Sequence, residues 1–139
     1  MTARVKTVVV GNGSSHGDDQ AGWMLIEQLA PLRMQEVDLR KATVPHQLFD
    51  SIGDCGALHI VDACDQGNDL QRIEVRDLLT LERVNQLSPD KSTHDLGIAT
   101  VIDLGRTLGL LPSEIVVWAI PGTDFEPSQR VSAYCQNQI

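Results

Sequence analysis

The sequence predicts an α/β protein, a single-domain three-layer sandwich in which helices flank a mostly parallel, twisted sheet. Two observations carry this prediction. Short apolar runs rich in β-branched residues, which are typical of buried parallel strands, recur along the chain. They alternate with segments of helical periodicity, which is the pattern of a parallel sheet with crossover helices. The length of 139 residues fits one domain, expected to span residues 1–139.

The first third of the chain predicts a strand, a helix and a second strand. Residues 5–10 are apolar and β-branched and stop at a glycine-rich turn, as a buried strand does. Residues 21–30 carry an apolar stripe at helical spacing. Asp18 and Asp19 stand where the first turn begins, a position that the helix dipole favours. Residues 35–40 alternate apolar and charged side chains, which predicts a half-exposed strand.

The middle of the chain predicts a short helix over residues 45–52 and then a second buried strand over residues 57–63. Asp62 ends this strand and precedes a polar turn. Residues 70–75 favour a short edge strand, and residues 77–85 fit either a short helix or an irregular segment.

The last third predicts a helix, a strand and a final helix. Ser92 and Asp95 resemble a capping pair at a helix start, and this helix would stop at Gly109. Residues 115–120 form the last buried strand, and residues from 128 onward predict the final helix.

Composition excludes several classes of protein. A net charge of −8 argues against a nucleic-acid binder, because such proteins need Lys and Arg to displace counterions. No apolar stretch approaches the ~20 residues that a membrane helix requires, and no secretion signal opens the chain. Three cysteines without CxxC spacing favour a reducing compartment. We therefore expect a cytoplasmic protein with no nucleic-acid or membrane partner.

Three side chains suited to metal binding stand at the ends of predicted elements. Asp19 follows the first strand, Asp62 ends the second buried strand, and His94 opens the helix of the last third. Ligand sites in open α/β sheets form outside the carboxyl ends of the strands, where the strand order reverses. One crevice can therefore bring the three side chains together. Two carboxylates and an imidazole suit Zn²⁺, Ni²⁺ or a similar ion with an open coordination position.

Each of the three residues also has a simpler interpretation when it is taken alone. Asp19 can cap a helix, and His94 at a helix start is more often a surface residue than a ligand. Asp62 is costly to bury without a partner. For Asp62 alone, a hydrogen bond to the following turn and metal ligation remain equally open. Only the joint placement of the three favours the metal site.

Two rival sites fit the sequence less well. The glycine-rich first turn lacks the third glycine of the dinucleotide fingerprint, and Asp18 and Asp19 would repel a pyrophosphate at the helix start. A nucleophilic hydrolase is not supported either, because the cysteines lack an obvious catalytic partner. Cys64 is expected to be a small buried residue rather than a nucleophile.

The sequence indicates the roles of the other histidines and of the tryptophans less clearly. His16 and His46 could each join the site, whereas His59 lies within a predicted strand and is expected to be a core histidine with a satisfied hydrogen bond. Trp23 and Trp118 fit the core or the lining of a groove, and nothing in the sequence separates these two possibilities.

Several short motifs occur in order along nearly the whole chain: Gly11-Asn12 followed by Asp18-Asp19 and Gly22, His46-Gln47-Leu48, Val61-Asp62-Ala63, Ser92-Thr93-His94, and Ala119-Ile120-Pro121-Gly122 with Phe125-Glu126. With these motifs the sequence resembles the hydrogenase maturation proteases, the endopeptidases that trim nickel–iron hydrogenase large subunits. The three motifs that contain Asp19, Asp62 and His94 occur in this order, and this combination is fairly specific.

This resemblance implies a monomeric, aspartyl-type α/β endopeptidase. It implies that the enzyme removes a C-terminal extension from a nickel–iron hydrogenase large-subunit precursor after nickel insertion. Asp19, Asp62 and His94 match the family's metal-contacting catalytic residues. The resemblance implies nickel carried by the substrate as the metal, although another divalent metal could occupy the site in vitro. The alternative is a non-catalytic relative that binds the maturing subunit or its metal without cleaving.

Overall fold

A computed structural model of the chain describes residues 7–13, 20–33, 35–43, 55–64, 70–87 and 98–121. These residues form five strands and three α-helices. In chain order the elements are β1 (Thr7–Asn12), α1 (Ala21–Leu29), β2 (Val37–Ala42), β3 (Ala57–Cys64), β4 (Gln71–Glu74), α2 (Leu78–Leu87), α3 (Ile98–Thr107) and β5 (Glu114–Pro121). A single 3₁₀ turn over Ala30–Leu32 extends α1.

The sheet has the strand order β2-β1-β3-β5-β4. Four strands are parallel, and β4 pairs antiparallel with β5 at one edge. From β1 the chain first moves outward to β2 and then crosses back to place β3 on the other side of β1. The strand order therefore reverses between β1 and β3, and a crevice at this switch point is the expected ligand site of such a sheet.

Helices cover both faces of the sheet, which gives the predicted three layers. The larger core lies between the sheet and the pair α2 and α3, and its largest fully buried side chains include Leu58, Ile60, Ile102 and Ile115. The smaller core lies under α1, where Ala21 packs with Val61 and Ile120. Alternate residues of β3 therefore point to opposite cores, as strand geometry requires.

The structure confirms the predicted α/β class and the order of its described elements. The β-branched runs form β1, β3 and β5, and the alternating segment forms β2, whose burial falls toward its charged residues. The predicted edge strand is β4. The expected helix over residues 45–52, the capping pair Ser92 and Asp95, and the helix from residue 128 onward lie outside the described residues.

The segment after β4 is a regular helix, which settles the choice that the sequence left open. The Asp77 Oδ1 accepts the backbone N–H of Thr80 at 2.9 Å, and the Thr80 Oγ1 accepts the backbone N–H of Asp77 at 3.1 Å. This reciprocal cap satisfies donors of the first turn that have no partner within the helix. Among the described helices, none is both long enough and apolar enough to cross a lipid bilayer.

Two glycines let α1 touch the sheet backbone directly. A Cβ on Gly11 would lie 2.3 Å from the Gly22 carbonyl oxygen and 2.7 Å from the Cγ1 of Ile26. A Cβ on Gly22 would lie 2.6 Å from the carbonyl oxygen of Asn12 and 2.7 Å from that of Val61. Neither position can carry a side chain unless backbone moves. The first turn of α1 is thus fixed against the ends of β1 and β3.

The substitution Gly11→Ala tests this contact. Because its methyl group would meet the backbone of Gly22, we expect a loss of about 3 kcal/mol in the free energy of unfolding, measured by urea denaturation. Gly109→Ala is the matched control, since Gly109 has a φ of 70° but open space around its Cβ position. It should lose about 1 kcal/mol, the conformational cost alone. Equal losses in the two variants would refute the close contact.

Candidate active site

Asp62 lies at the carboxyl end of β3, next to the switch point between β1 and β3. It follows Leu58 and Ile60 on the face that packs against α2 and α3, and its side chain is half-buried. Its Oδ1 accepts the backbone N–H of Ala63 at 3.0 Å. This bond orients the carboxylate at the edge of the sheet. A half-buried carboxylate in this position can bind a ligand or accept a proton.

A small cavity lies beside the Asp62 carboxylate. Its volume is about 10 Å³, and its lining residues are Asp62, Ala63, Cys64, Val84, Ile98, Val117 and Ala119. A space of this size holds about one water molecule. The cavity also shows that the first residue of α3, Ile98, lies at the Asp62 end of the sheet.

Asn12 occupies the end of the neighbouring strand. The last paired residues of β1 and β3 are Gly11 and Val61, so the register continues to Asn12 beside Asp62. Val8 and Val10 belong to the core under α2 and α3, and strand alternation puts Asn12 on that same face. Asn12 is 8% exposed, and its Oδ1 is buried without a hydrogen-bond donor among the described residues.

Only one of the three predicted metal ligands lies in the described part of the chain. Asp62 is at the expected strand end, whereas Asp19 and His94 lie outside the described residues, as do His16 and His46. Within the described ranges, no three His, Cys, Asp or Glu side chains are grouped to hold a metal ion. The convergence of the three predicted ligands thus stays a prediction.

One further expectation is confirmed, and a second is confirmed only in part. Cys64 is 1% exposed and so is a small buried residue. His59 has the expected hydrogen bond, since its Nδ1 accepts the indole N–H of Trp118 at 3.0 Å. His59 is only half-buried, however, and it belongs to the α1 face of β3, opposite to Asp62. It therefore does not belong to the Asp62 crevice.

The tryptophans connect neighbouring elements. The indole N–H of Trp23 donates to the carbonyl of Ala42 at 3.0 Å and so ties α1 to β2. Trp118 stacks on His59 with ring centroids 6.3 Å apart, and the Arg72 guanidinium carbon lies 5.4 Å from the Trp118 ring centroid. These contacts give both rings a structural role on the α1 side of the sheet.

In the sequence, Asn12 stands out only as part of the Gly11-Asn12 motif. The burial of its side-chain oxygen without a described donor was not predicted. The sequence feature that could have identified Asn12 is its place in the alternation of β1. It follows the buried Val8 and Val10 at a spacing of two residues, although it is polar. A polar side chain among the buried positions of a strand end requires a hydrogen-bond partner. This requirement marks Asn12 as a candidate functional residue.

The fold and the site together define a class of protein: a three-layer α/β protein with a half-buried carboxylate at the switch point of its sheet. No family model and no curated protein matches the sequence. Solved structures do match the fold.

Several of the matching structures are hydrogenase maturation proteases. The hydrogenase maturating endopeptidase HybD from E. coli has a TM-score of 0.76 and 20% identity, and the match covers 96% of this chain and 84% of that one. The nickel–iron hydrogenase maturation protease HycI from Thermococcus kodakarensis has a TM-score of 0.69 and 20% identity over 96% and 85% of the two chains. The hydrogenase 3 maturation protease has a TM-score of 0.70 and 21% identity over 96% and 84%. The chain therefore has the fold that its sequence resemblance implies.

The pair His59 and Trp118 predicts a pH dependence of stability. Partial burial lowers the pKa of His59 below its ordinary value of 6.5, the nearby Arg72 charge lowers it further, and Glu114 opposes these effects. Below pH 6.5 the unfolded chain binds a proton at this position that the folded chain resists. The contribution of His59 to stability is therefore complete above this pH and declines as the pH falls toward the lowered pKa.

Urea denaturation between about pH 7.5 and about pH 5.5 measures this decline. We expect the wild type to lose more stability over this interval than His59→Gln, whose side-chain oxygen can still accept the Trp118 N–H but does not titrate. Comparison of the two proteins cancels the titration of the other histidines. The same decline in both would show that His59 does not contribute.

Proposed function

We propose that this protein is an endopeptidase that removes the C-terminal extension of a nickel–iron hydrogenase large-subunit precursor after nickel insertion. The observation that carries the proposal is the position of Asp62. This carboxylate stands at the strand end beside the switch point, in a fold shared with several solved hydrogenase maturation proteases. Its identity and place also match the family motif Val61-Asp62-Ala63.

The described flanks of Asp19 and His94 support a shared site. Gly22, near the start of α1, contacts the strand ends of β1 and β3, and Asp19 precedes Gly22 by only three residues. His94 precedes Ile98 by four residues, and Ile98 lines the cavity beside Asp62. An extended chain spans at most about 3.6 Å per residue. These short spacings are compatible with the proposed shared site at the carboxyl edge of the sheet.

The three side chains suit a metal that arrives with the substrate. Two carboxylates and one imidazole leave coordination positions for the ligands that already hold nickel in the precursor. Recognition of the metal would restrict cleavage to a precursor that has received its nickel. We propose that the protein keeps no permanent metal of its own.

Hydrolysis needs a base and an activated carbonyl. We propose that nickel in the bound precursor draws electrons from the scissile carbonyl or from the attacking water. One of the two carboxylates, Asp19 or Asp62, accepts the proton of the water as its oxygen bonds to the carbonyl carbon. The bond from carbon to nitrogen then breaks, and the proton passes to the leaving amine. The hydrogen bond from Ala63 would hold Asp62 in a fixed orientation for contact with the substrate.

The proposal also covers the localisation, the oligomeric state and the partner of the protein. We propose a cytoplasmic monomer whose partner is the large-subunit precursor. The net charge of −8 is consistent with a protein substrate and disfavours nucleic acid.

Cleavage of a nickel-loaded precursor tests the function. We expect the wild type to shorten the precursor, followed by mass spectrometry, and Asp62→Asn, Asp19→Asn and His94→Ala to be slower by about 100-fold or more, the scale of a lost proton acceptor or ligand. Glu27→Gln is the matched control, because Glu27 is an exposed carboxylate on α1. It should process the precursor at the wild-type rate.

Two results would contradict this assignment. Undiminished processing by all three variants would exclude these residues as the site. Capture of the precursor by the wild type without any shortening would favour the alternative, a non-catalytic protein that only binds the maturing subunit.

A further inference from the structure

A surface groove lies between α2 and α3, on the outer side of the larger core. Its volume is about 280 Å³, and its lining residues are Leu78, Leu81, Glu82, Asn85, Ala99, Thr100 and Asp103. The two helices run in opposite directions. The chain enters α2 from the amino edge of the sheet, where the antiparallel strand β4 ends, and it returns to that edge after α3 to begin β5. The groove therefore follows both helices between the two edges of the sheet.

One end of the groove reaches the candidate active site. Val84 of α2 and Ile98 of α3 both line the small cavity beside Asp62, and the residue that follows each of them lines the groove. The opposite end is at Leu78, the first residue of α2. From Leu78 to Asn85 the helix rises about 10 Å, a length that about three residues of an extended peptide span. A short peptide that leaves Asp62 can therefore continue along the groove.

The lining of the groove combines an apolar end with carboxylates on both sides. Leu78 is 77% exposed, and Leu81, one turn later, is partly buried against the larger core. Glu82 on α2 and Asp103 on α3 are both exposed, and no basic side chain is among the lining residues. Within the described ranges, neither carboxylate forms an ion pair. The groove is therefore complementary to a segment that carries an apolar and a basic side chain.

The connection with Asp62 indicates which part of the precursor fits. The part on the amino-terminal side of the scissile bond is the large subunit that holds the nickel, and a folded subunit is too wide for a groove that takes about three extended residues. The C-terminal extension begins at the scissile bond and ends in a free terminus. It can therefore lie between two helices as a single extended strand.

We propose that the groove between α2 and α3 binds the C-terminal extension of the precursor, with an apolar side chain against Leu78 and a basic side chain between Glu82 and Asp103. This inference rests on the proposed function and deepens it, since it assigns recognition of the extension to a surface outside the metal-binding residues. The groove holds the segment that is released, whereas the metal-binding residues contact the part that retains the nickel.

The variants Leu78→Ala, Glu82→Lys and Asp103→Lys test the proposal. All three side chains are exposed, so the substitutions leave the core intact. For cleavage of the nickel-loaded precursor we expect each variant to raise KM about fivefold, through a lost apolar contact or a reversed charge, and to leave kcat unchanged. An unchanged KM in all three variants would overturn the proposal.

The chain offers a matched control for each kind of change. Leu79→Ala removes the same atoms from the neighbouring leucine, which is 78% exposed but does not line the groove. Glu27→Lys reverses a charge on α1, on the opposite face of the sheet, and the exposed ion pair with Lys41 that it removes contributes little to stability. Both controls should keep the wild-type KM. If they raise KM as much as the groove variants do, general surface properties govern binding and the groove does not.

Titration calorimetry with two forms of the large subunit identifies the segment that the groove binds. The groove variants should bind the nickel-loaded precursor about fivefold more weakly than the wild type does, and they should bind the nickel-loaded subunit without its extension as well as the wild type does. Equal weakening for both forms would place the groove against the body of the subunit and contradict the proposal.

Failure of the proposed function is separable from failure of this inference. If the wild type does not cleave the precursor, the peptidase assignment is wrong, and the calorimetric affinities alone decide the role of the groove. Weaker binding of the precursor by the groove variants, with unchanged binding of the subunit that lacks the extension, supports the contact. Equal binding of the precursor by all variants, or no binding by the wild type, overturns it.

Discussion

The backbone contact between Gly11 and Gly22 is the constraint on which the rest of the site depends. It lets the first turn of α1 press against the ends of β1 and β3 without intervening side chains. This contact fixes where the chain leaves β1 and where it enters α1. It thereby anchors the end of β1 and the start of α1, the described residues on either side of Asp19, near the switch point of the sheet. A side chain at either glycine would move that anchor, since protein interiors leave little free volume.

Around this anchor the molecule divides its roles between the two faces of the sheet. On the α1 face, His59, Trp118 and Arg72 form a stacked group that links β3, β5 and β4. On the other face a large apolar core supports Asp62 and Asn12 at its rim. Among the described residues, the apolar core thus lies between the sheet and its helices, while Asp62 and the buried Asn12 lie at the edge of the sheet. Such a distribution is typical of functional sites, which conflict locally with stability.

The sequence predicted the layers well because burial in a parallel sheet selects continuous β-branched runs such as residues 57–63. It also located Asp62, because a carboxylate that ends an apolar run is conspicuous. Other features depend on contacts between distant segments. The burial of Asn12 beside Asp62, where no described residue donates to its side-chain oxygen, becomes apparent only once the register of β1 and β3 is known. The close approach at Gly22 leaves no mark in the sequence beyond the glycine itself. The bond between His59 and Trp118 likewise required the adjacency of β3 and β5.

The central claim is that Asp19, Asp62 and His94 meet at a single metal at the carboxyl edge of the sheet. A crystal structure of the protein soaked with Zn²⁺, with anomalous data collected at the zinc edge, tests it most directly. We expect one strong anomalous peak with oxygen and nitrogen atoms of all three side chains about 2.0–2.2 Å away. Side chains in separate clefts, or a peak that involves none of them, would contradict it.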